Sequence, residues 1–163
     1  GFPRPLRWMG GTVKLFVDTN IILDSLARRQ PFEKKADLLF SLGFCKECEL
    51  WTSASQFTDA FYILTSGPQK VSTTTAKSVI KTLLKSLNVC NFTRLEVETA
   101  LDSSWDDFED ACLYECARKM KADAIITRNK GDFGQSRIPV MDCDELFAWL
   151  EQEHSLVYDF IDL

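Results

Sequence analysis

The chain has 163 residues, 45% of them hydrophobic and 12% aromatic, which is enough for one domain with a full core and too apolar for disorder. Its formal net charge of −5 excludes a protein that holds nucleic acid by bulk positive charge, although a bound cation inverts the sign of an acidic cleft and keeps phosphate substrates open. No apolar stretch approaches the roughly 20 residues of a membrane span, and six cysteines in a chain without a secretion-type leader read as reduced thiols of a cytoplasmic protein.

In chain order, residues 1–12 carry Pro and Gly punctuation and no periodicity, and read as an N-terminal arm. Val13–Val17 is a short β-branched and aromatic run, predicted as a buried parallel strand. A helix follows over about Ile21–Ala27, and Pro31 suits the first turn of a second helix that turns Ala36, Leu38, Leu39 and Leu42 inward. Glu49–Thr52 is a strand candidate. Ser53 or Ser55 can cap a helix bearing Phe57, Ala60, Phe61 and Leu64, with Gly67-Pro68 as its stop. Thr73–Leu87 has helical spacing throughout, with Lys77, Lys81 and Lys85 on a separate stripe whose plain reading is a solvated face. Then come a strand over 88–92, a short helix over 96–101, a helix over about 106–120, strands at Ala124–Thr127 and Ile138–Met141, and a last helix from Asp144 to about Glu153. Strands alternating with helices predict an α/β domain over 13–153 with a mainly parallel sheet. Residues 154–163 form a tail whose alternating apolar and acidic residues suit an edge strand or a contact with a neighbour.

Chemistry concentrates in acidic residues at element ends. Asp18 follows the first strand directly, at the sheet edge where open α/β folds place their sites. Burying a carboxylate there without a partner is expensive, which favours a functional reading. Asp59 rides on the third helix, and Asp106-Asp107-Phe108-Glu109-Asp110 opens another. Asp107 and Asp110 share a face at a helix N-terminus, whose dipole eases their mutual repulsion, though singly such residues also serve as caps. Acidic points on separate elements suit a hard divalent ion, Mg²⁺ or Mn²⁺, which takes oxygen ligands and keeps several waters.

Taken together, Val17-Asp18-Thr19-Asn20-Ile21-Ile22-Leu23-Asp24, Asp107-Phe108-Glu109-Asp110-Ala111, Ala122 to Phe133 with its Thr127-Arg128-Asn129 core, and Ile138-Pro139-Val140-Met141 resemble the PIN-domain family of metal-dependent ribonucleases, over roughly 13–150. The chain is similar in particular to the bacterial toxin branch. The resemblance implies a three-layer α/β/α sandwich and an acidic pocket for Mg²⁺ or Mn²⁺, with Asp18, Asp59 and Asp110 as catalytic residues. It implies metal contacts from Asp18, Asp59, Asp107, Asp110, Asn129 and Asp132. Asp59 stands where the family usually has Glu, and Asn129 where it often has Asp. Thr19, Asn20, Thr127 and Arg128 are expected to position substrate or phosphate, and Arg28-Arg29 and Lys130 to offer further cations. The implied activity is endonucleolytic cleavage of single-stranded RNA by an activated water, with a small antitoxin protein as partner and room for a homo-oligomer.

Two other readings stay open: a non-catalytic PIN relative that binds RNA or a partner, and a metal phosphohydrolase acting on small phosphoesters. Cys45-Lys46-Glu47-Cys48 lacks the further ligands of a zinc site, and the lone His154 has no serine partner for a hydrolytic triad.

Overall fold

The computed structural model describes residues 11–154. Most of the expected arm, and the tail expected to pair as an edge strand, lie outside the described residues. In chain order the elements are β1 (Lys14–Val17), α1 (Thr19–Leu26), α2 (Glu33–Phe44), β2 (Glu49–Ser53), α3 (Ser55–Ser66), α4 (Thr73–Leu83), β3 (Asn88–Cys90), α5 (Arg94–Leu101), α6 (Phe108–Lys119), β4 (Ala124–Ile126), β5 (Val140–Met141) and α7 (Cys143–His154), with 3-10 turns at Leu84–Ser86 and Lys130–Phe133. The five strands pair in parallel in the order β3-β2-β1-β4-β5.

Side-chain alternation along the central strands builds the layers. Leu15 and Val17 on β1 and Ala124 and Ile126 on β4 pack with residues of α1, α2, α3, α4 and α7. Phe16 and Ile125 point the other way, onto Leu113, Tyr114, Cys116 and Ala117 of α6. Helix α5 lies on α6 through Ala100, Ala111 and Cys112. The result is the expected three-layer α/β/α sandwich. All six cysteines are free thiols, and only Cys45 is exposed.

Several boundaries differ from expectation for local reasons. Pro31 lies outside α2, because Phe32 and Glu33 both donate to the Arg29 carbonyl in a turn that precedes the helix. The predicted 73–87 helix stops at Leu83 and tightens into the 3-10 turn that delivers the chain to β3. The last strand is only two residues long: Pro139 has no N–H to donate, and Ser136 Oγ takes up the Ile138 N–H and donates to its carbonyl. Either Ser53 or Ser55 is expected to cap α3; the structure instead makes Ala54 the N-cap, without a side-chain cap bond, and Ser53 braces the turn from one residue earlier. Its N–H donates to Gln56 Oε1 at 2.7 Å and its Oγ accepts from Ser55 N at 3.3 Å.

The connection order matters most for function. The chain builds β1, β2 and β3 outward on one side, then returns to lay β4 and β5 on the other side of β1. The switch point therefore falls between β1 and β4, at the carboxyl ends of their strands.

Candidate active site at the carboxyl edge of the sheet

Asp18 leaves β1 at this switch point, its N–H still paired with Ile126 O at 2.9 Å across the β1–β4 ladder. Asp18 is 7% exposed, and its carboxylate is well supplied with donors. Thr19 N donates to Oδ1 at 2.7 Å, which caps α1, while Thr127 Oγ1 at 2.7 Å and Asn20 Nδ2 at 3.1 Å donate to Oδ2. A carboxylate has about four lone-pair positions, so an acceptor position on Oδ1 stays open. Burial pushes the Asp18 pKa up and nearby Asp132 adds to this, while the Thr127 and Thr19 hydrogen bonds and the Arg128 charge pull it back.

The residues expected to position substrate serve Asp18 and the strand ends around it. Thr127 Oγ1 accepts from Asn129 N at 3.0 Å and Asn20 Nδ2 at 3.3 Å while donating to Asp18. Thr19 Oγ1 is buried and accepts from Gln56 Nε2 at 3.2 Å. Gln56, fully buried, also donates to Val17 O at 2.8 Å and accepts from Ser53 N. One side chain thus ties the ends of β1 and β2 to the start of α1 and of its own helix. Sequence reasoning missed it, although Ser53-Ala54-Ser55-Gln56 carries the S-x-x-Q signature.

The second half of the site comes from the start of α6. Asp107 is the N-cap, accepting from Asp110 N at 2.9 Å, and it is exposed. Asp110 is partly buried, and its pKa is pushed up to about 7 by burial first and then by Asp107, Asp18, Asp132 and Glu109. Glu109 is raised by burial and by Asp59, Asp107 and Asp18. Asp107, Asp18, Asp132 and Glu109 all act on Asp110, and Asp59, Asp107 and Asp18 act on Glu109, so these carboxylates form one acidic bowl with Asp59 at its rim near Glu109. Beside it a cavity of about 290 Å³ is lined by Trp105, Asp106, Asp107, Asp110, Asp132 and Gln135.

The expected ligand set is not a closed cage. Among the described residues, no three Asp, Glu, His or Cys side chains are gathered tightly enough to enclose an ion. Asp59, Asp107, Asn129 and Asp132 are exposed, Asp107 is engaged as a cap, and like charges hold apart. Asn129 enters the network only through its backbone, and its carbonyl accepts from Asp132 N at 3.0 Å to set the turn that carries Asp132. Glu109 was not among the expected site residues; its place within the acidic run was the available signal.

The cations expected at phosphate are placed otherwise. Arg128 donates in a fork to Asp24, Nε to Oδ2 at 2.7 Å and Nη2 to Oδ1 at 2.9 Å, and lies 4.0 Å from the centroid of the Phe32 ring. Lys130 is turned to Glu145 and Asp142 at the start of α7. Arg28 sits past the far end of α1, about 12 Å along the helix from Asp18, and pairs with Glu33 at 3.2 Å. Lys77, Lys81 and Lys85 are exposed, as a solvated stripe requires.

A family model described as PIN domain matches residues 14–131. The chain belongs to the PIN domain family. Among characterised PIN relatives, it is 28% identical over 137 residues to Ribonuclease VapC1 of Aquifex aeolicus (strain VF5), covering 81% of this chain and 92% of that protein. Among solved PIN-like structures, PAE2754 from Pyrobaculum aerophilum matches with a TM-score of 0.60 and 18% identity, over 92% of this chain and 99% of that one. A toxin–antitoxin complex from Klebsiella pneumoniae contains a chain matching at a TM-score of 0.57 and 20% identity, over 79% of this chain and 97% of that one. Among the described residues of this PIN domain, no helix is long and apolar enough to cross a membrane.

Proposed function

We propose that this PIN domain is a divalent-metal-dependent endoribonuclease that cuts single-stranded RNA, and that it is the cytoplasmic toxin of a toxin–antitoxin pair whose small antitoxin protein restrains it. The acidic bowl at the β1–β4 switch point carries this reading: burial, and then the surrounding carboxylates Asp107, Asp18, Asp132 and Glu109, raise Asp110 to about 7, and a polyvalent cation would relieve that concentration of negative charge. The relative named a ribonuclease and the structural neighbour in a toxin–antitoxin complex support the choice of RNA and antitoxin.

The donor set fits Mg²⁺ or Mn²⁺. All candidate ligands offer oxygen, and an open arrangement suits an ion that keeps waters and is held by one or two carboxylates. Asp18 and Asp110 would be the principal ligands, with Asp59, Asp107, Asn129 and Asp132 contributing directly or through water. When bound, such an ion polarises a phosphate and lowers the pKa of water. The protein's own groups do the rest. Thr19, Asn20 and Thr127 hold the Asp18 carboxylate at a fixed angle, and Asp110 can orient an attacking water or take its proton. Residues 13–153 form the functional unit.

The exposed positions of Asp59 and Asn129 favour a second reading, a PIN relative that binds RNA or a partner without cutting. One experiment separates them. The purified protein is incubated with end-labelled single-stranded RNA and Mg²⁺ or Mn²⁺, with and without chelator, beside Asp18→Asn. Internal cuts that chelator and the substitution both abolish establish the nuclease; RNA retained uncut by a metal-loaded protein establishes the second reading.

A further inference from the structure

We propose that Asp24 and Arg128, which neither the nuclease reading nor the expected ligand set employs as a pair, are positioning residues that fix how Asp18 faces the acidic bowl. Asp24 is 1% exposed, and both its oxygens are taken by the Arg128 fork. Buried pairs of this kind contribute little net stability compared with apolar side chains of similar size, so the fixed geometry is their more informative property. Here the geometry has a definite target. On α1, Asp24 is one turn beyond Asn20 and shares its face, while on the β4 side Arg128 directly follows Thr127. The junction of α1 with the end of β4 is therefore fastened at two points one turn apart. The first is the Asp18–Asn20–Thr127 cluster, extended by Arg128 N to Asn20 Oδ1 at 3.4 Å. The second is the Asp24–Arg128 fork, whose guanidinium carbon also lies over the Phe32 ring, 4.0 Å from its centroid. Helix α1 is packed into the core through Ile21, Ile22 and Leu23, and the fork adds a directional, polar fastening one turn beyond the Asn20 contact. Two fastenings set the rotation of α1 against β4, and with it the direction of the Asp18 Oδ1 position left open by Thr19.

The pair's role in turnover rests on the nuclease reading, but its effect on the Asp18 network does not. The test uses Asp24→Leu combined with Arg128→Met, an apolar replacement expected to fold, and Arg128→Lys, which keeps the charge and loses the fork. Three quantities are read: Mn²⁺ affinity by direct binding, hydrogen exchange of the Asn129 amide held by Thr127, and kcat and KM on single-stranded RNA. The double variant is expected to bind Mn²⁺ about tenfold more weakly and lose kcat by about tenfold, as losses of outer-shell partners do, with KM little changed. Its Asn129 amide is expected to exchange about tenfold faster without any metal, and Arg128→Lys to move each reading the same way by less. A folded double variant whose Asn129 exchange and Mn²⁺ affinity stay within about twofold of the parent overturns the proposal, since outer-shell loss then costs nothing. So does an Arg128→Lys protein that raises KM and leaves kcat alone, because the guanidinium then acts on RNA. If the double variant does not fold, Arg128→Lys decides by the same readings. A parent that binds Mn²⁺ and cuts no RNA sinks the nuclease reading alone, and the affinity and exchange readings still decide the pair.

Discussion

Asp110 is where the electrostatics of the bowl can be read most directly. Its folded-state pKa, about 7, lies above the ordinary carboxylate value because burial and neighbouring carboxylates disfavour its charge. A raised pKa means that the folded state holds the proton more tightly than the unfolded chain does. The stabilising contribution is therefore complete below the unfolded value of about 4 and is lost as pH rises through about 7. Asp110→Asn keeps the neutral form at every pH. In chelator it should melt higher than the parent at pH 8, with the difference shrinking toward pH 5; an equal difference across that range would show that the crowding is absent. Asp18→Asn differs in kind. Its amide presents donors and an acceptor to a site where Thr19, Asn20 and Thr127 all donate, so the change removes both the charge and an acceptor position. Metal-dependent cleavage should fall by about 100-fold or more, and retention of activity at saturating Mn²⁺ would take Asp18 out of the site. At Asp59, exposed beside Glu109, the longer Asp59→Glu side chain should tighten Mn²⁺ binding in a direct titration. No gain there, with Asp59→Ala also silent, would show that the rim position is not a ligand.

Elements hold these residues through contacts that sequence patterns record unevenly. Gly43, near the end of α2, leaves no room for a side chain: a Cβ would meet Leu50 Cδ1 and the Ser86 carbonyl, each at 2.6 Å. Because one of these is backbone, relief requires α2 to move from β2 and from the turn before β3. Gly43→Ala should therefore lower stability by about 1–3 kcal/mol in urea unfolding, and an unchanged midpoint would mean that the close approach is not rigid. No periodicity marks that glycine, since close approach is a property of two segments. The strands and long helices were legible because apolar spacing follows burial, as at Leu15, Val17 and Ile126. Ends were less so. Leu84 and Leu87 continue the helical spacing of α4, yet the tertiary need to enter β3 tightens the chain there. The Asp24–Arg128 fork was hidden for the same reason: the residues are 104 apart in sequence, and neither reveals its partner locally.

At the scale of the whole molecule, topology turns scattered acidic residues into one site. The order β3-β2-β1-β4-β5 puts the ends of β1 and β4 side by side, and α6 then presents Asp110 to Asp18 from the opposite layer. The position of Asp18 after a buried strand made half of this readable in advance, and the spaced motifs supplied the family. Thr19, Asn20 and Thr127 were readable as positioning residues, whereas the openness of the bowl and the particular bonds by which they hold Asp18 were not, because those depend on distances between elements. The hydroxyls in the network, Thr19 and Thr127, are buried and engaged with Gln56 and Asp18, which leaves water as the expected attacking group and an internal phosphodiester as its target. The most direct measurement is cleavage of single-stranded RNA in ¹⁸O-labelled water with Mn²⁺, with product ends read by mass spectrometry and an aryl phosphate assayed in parallel. The expected result is internal scission that places one ¹⁸O on the new phosphate, with no cyclic phosphate and faster turnover of RNA than of the aryl ester. A 2′,3′-cyclic phosphate product without label, or faster turnover of the aryl phosphate, would contradict it.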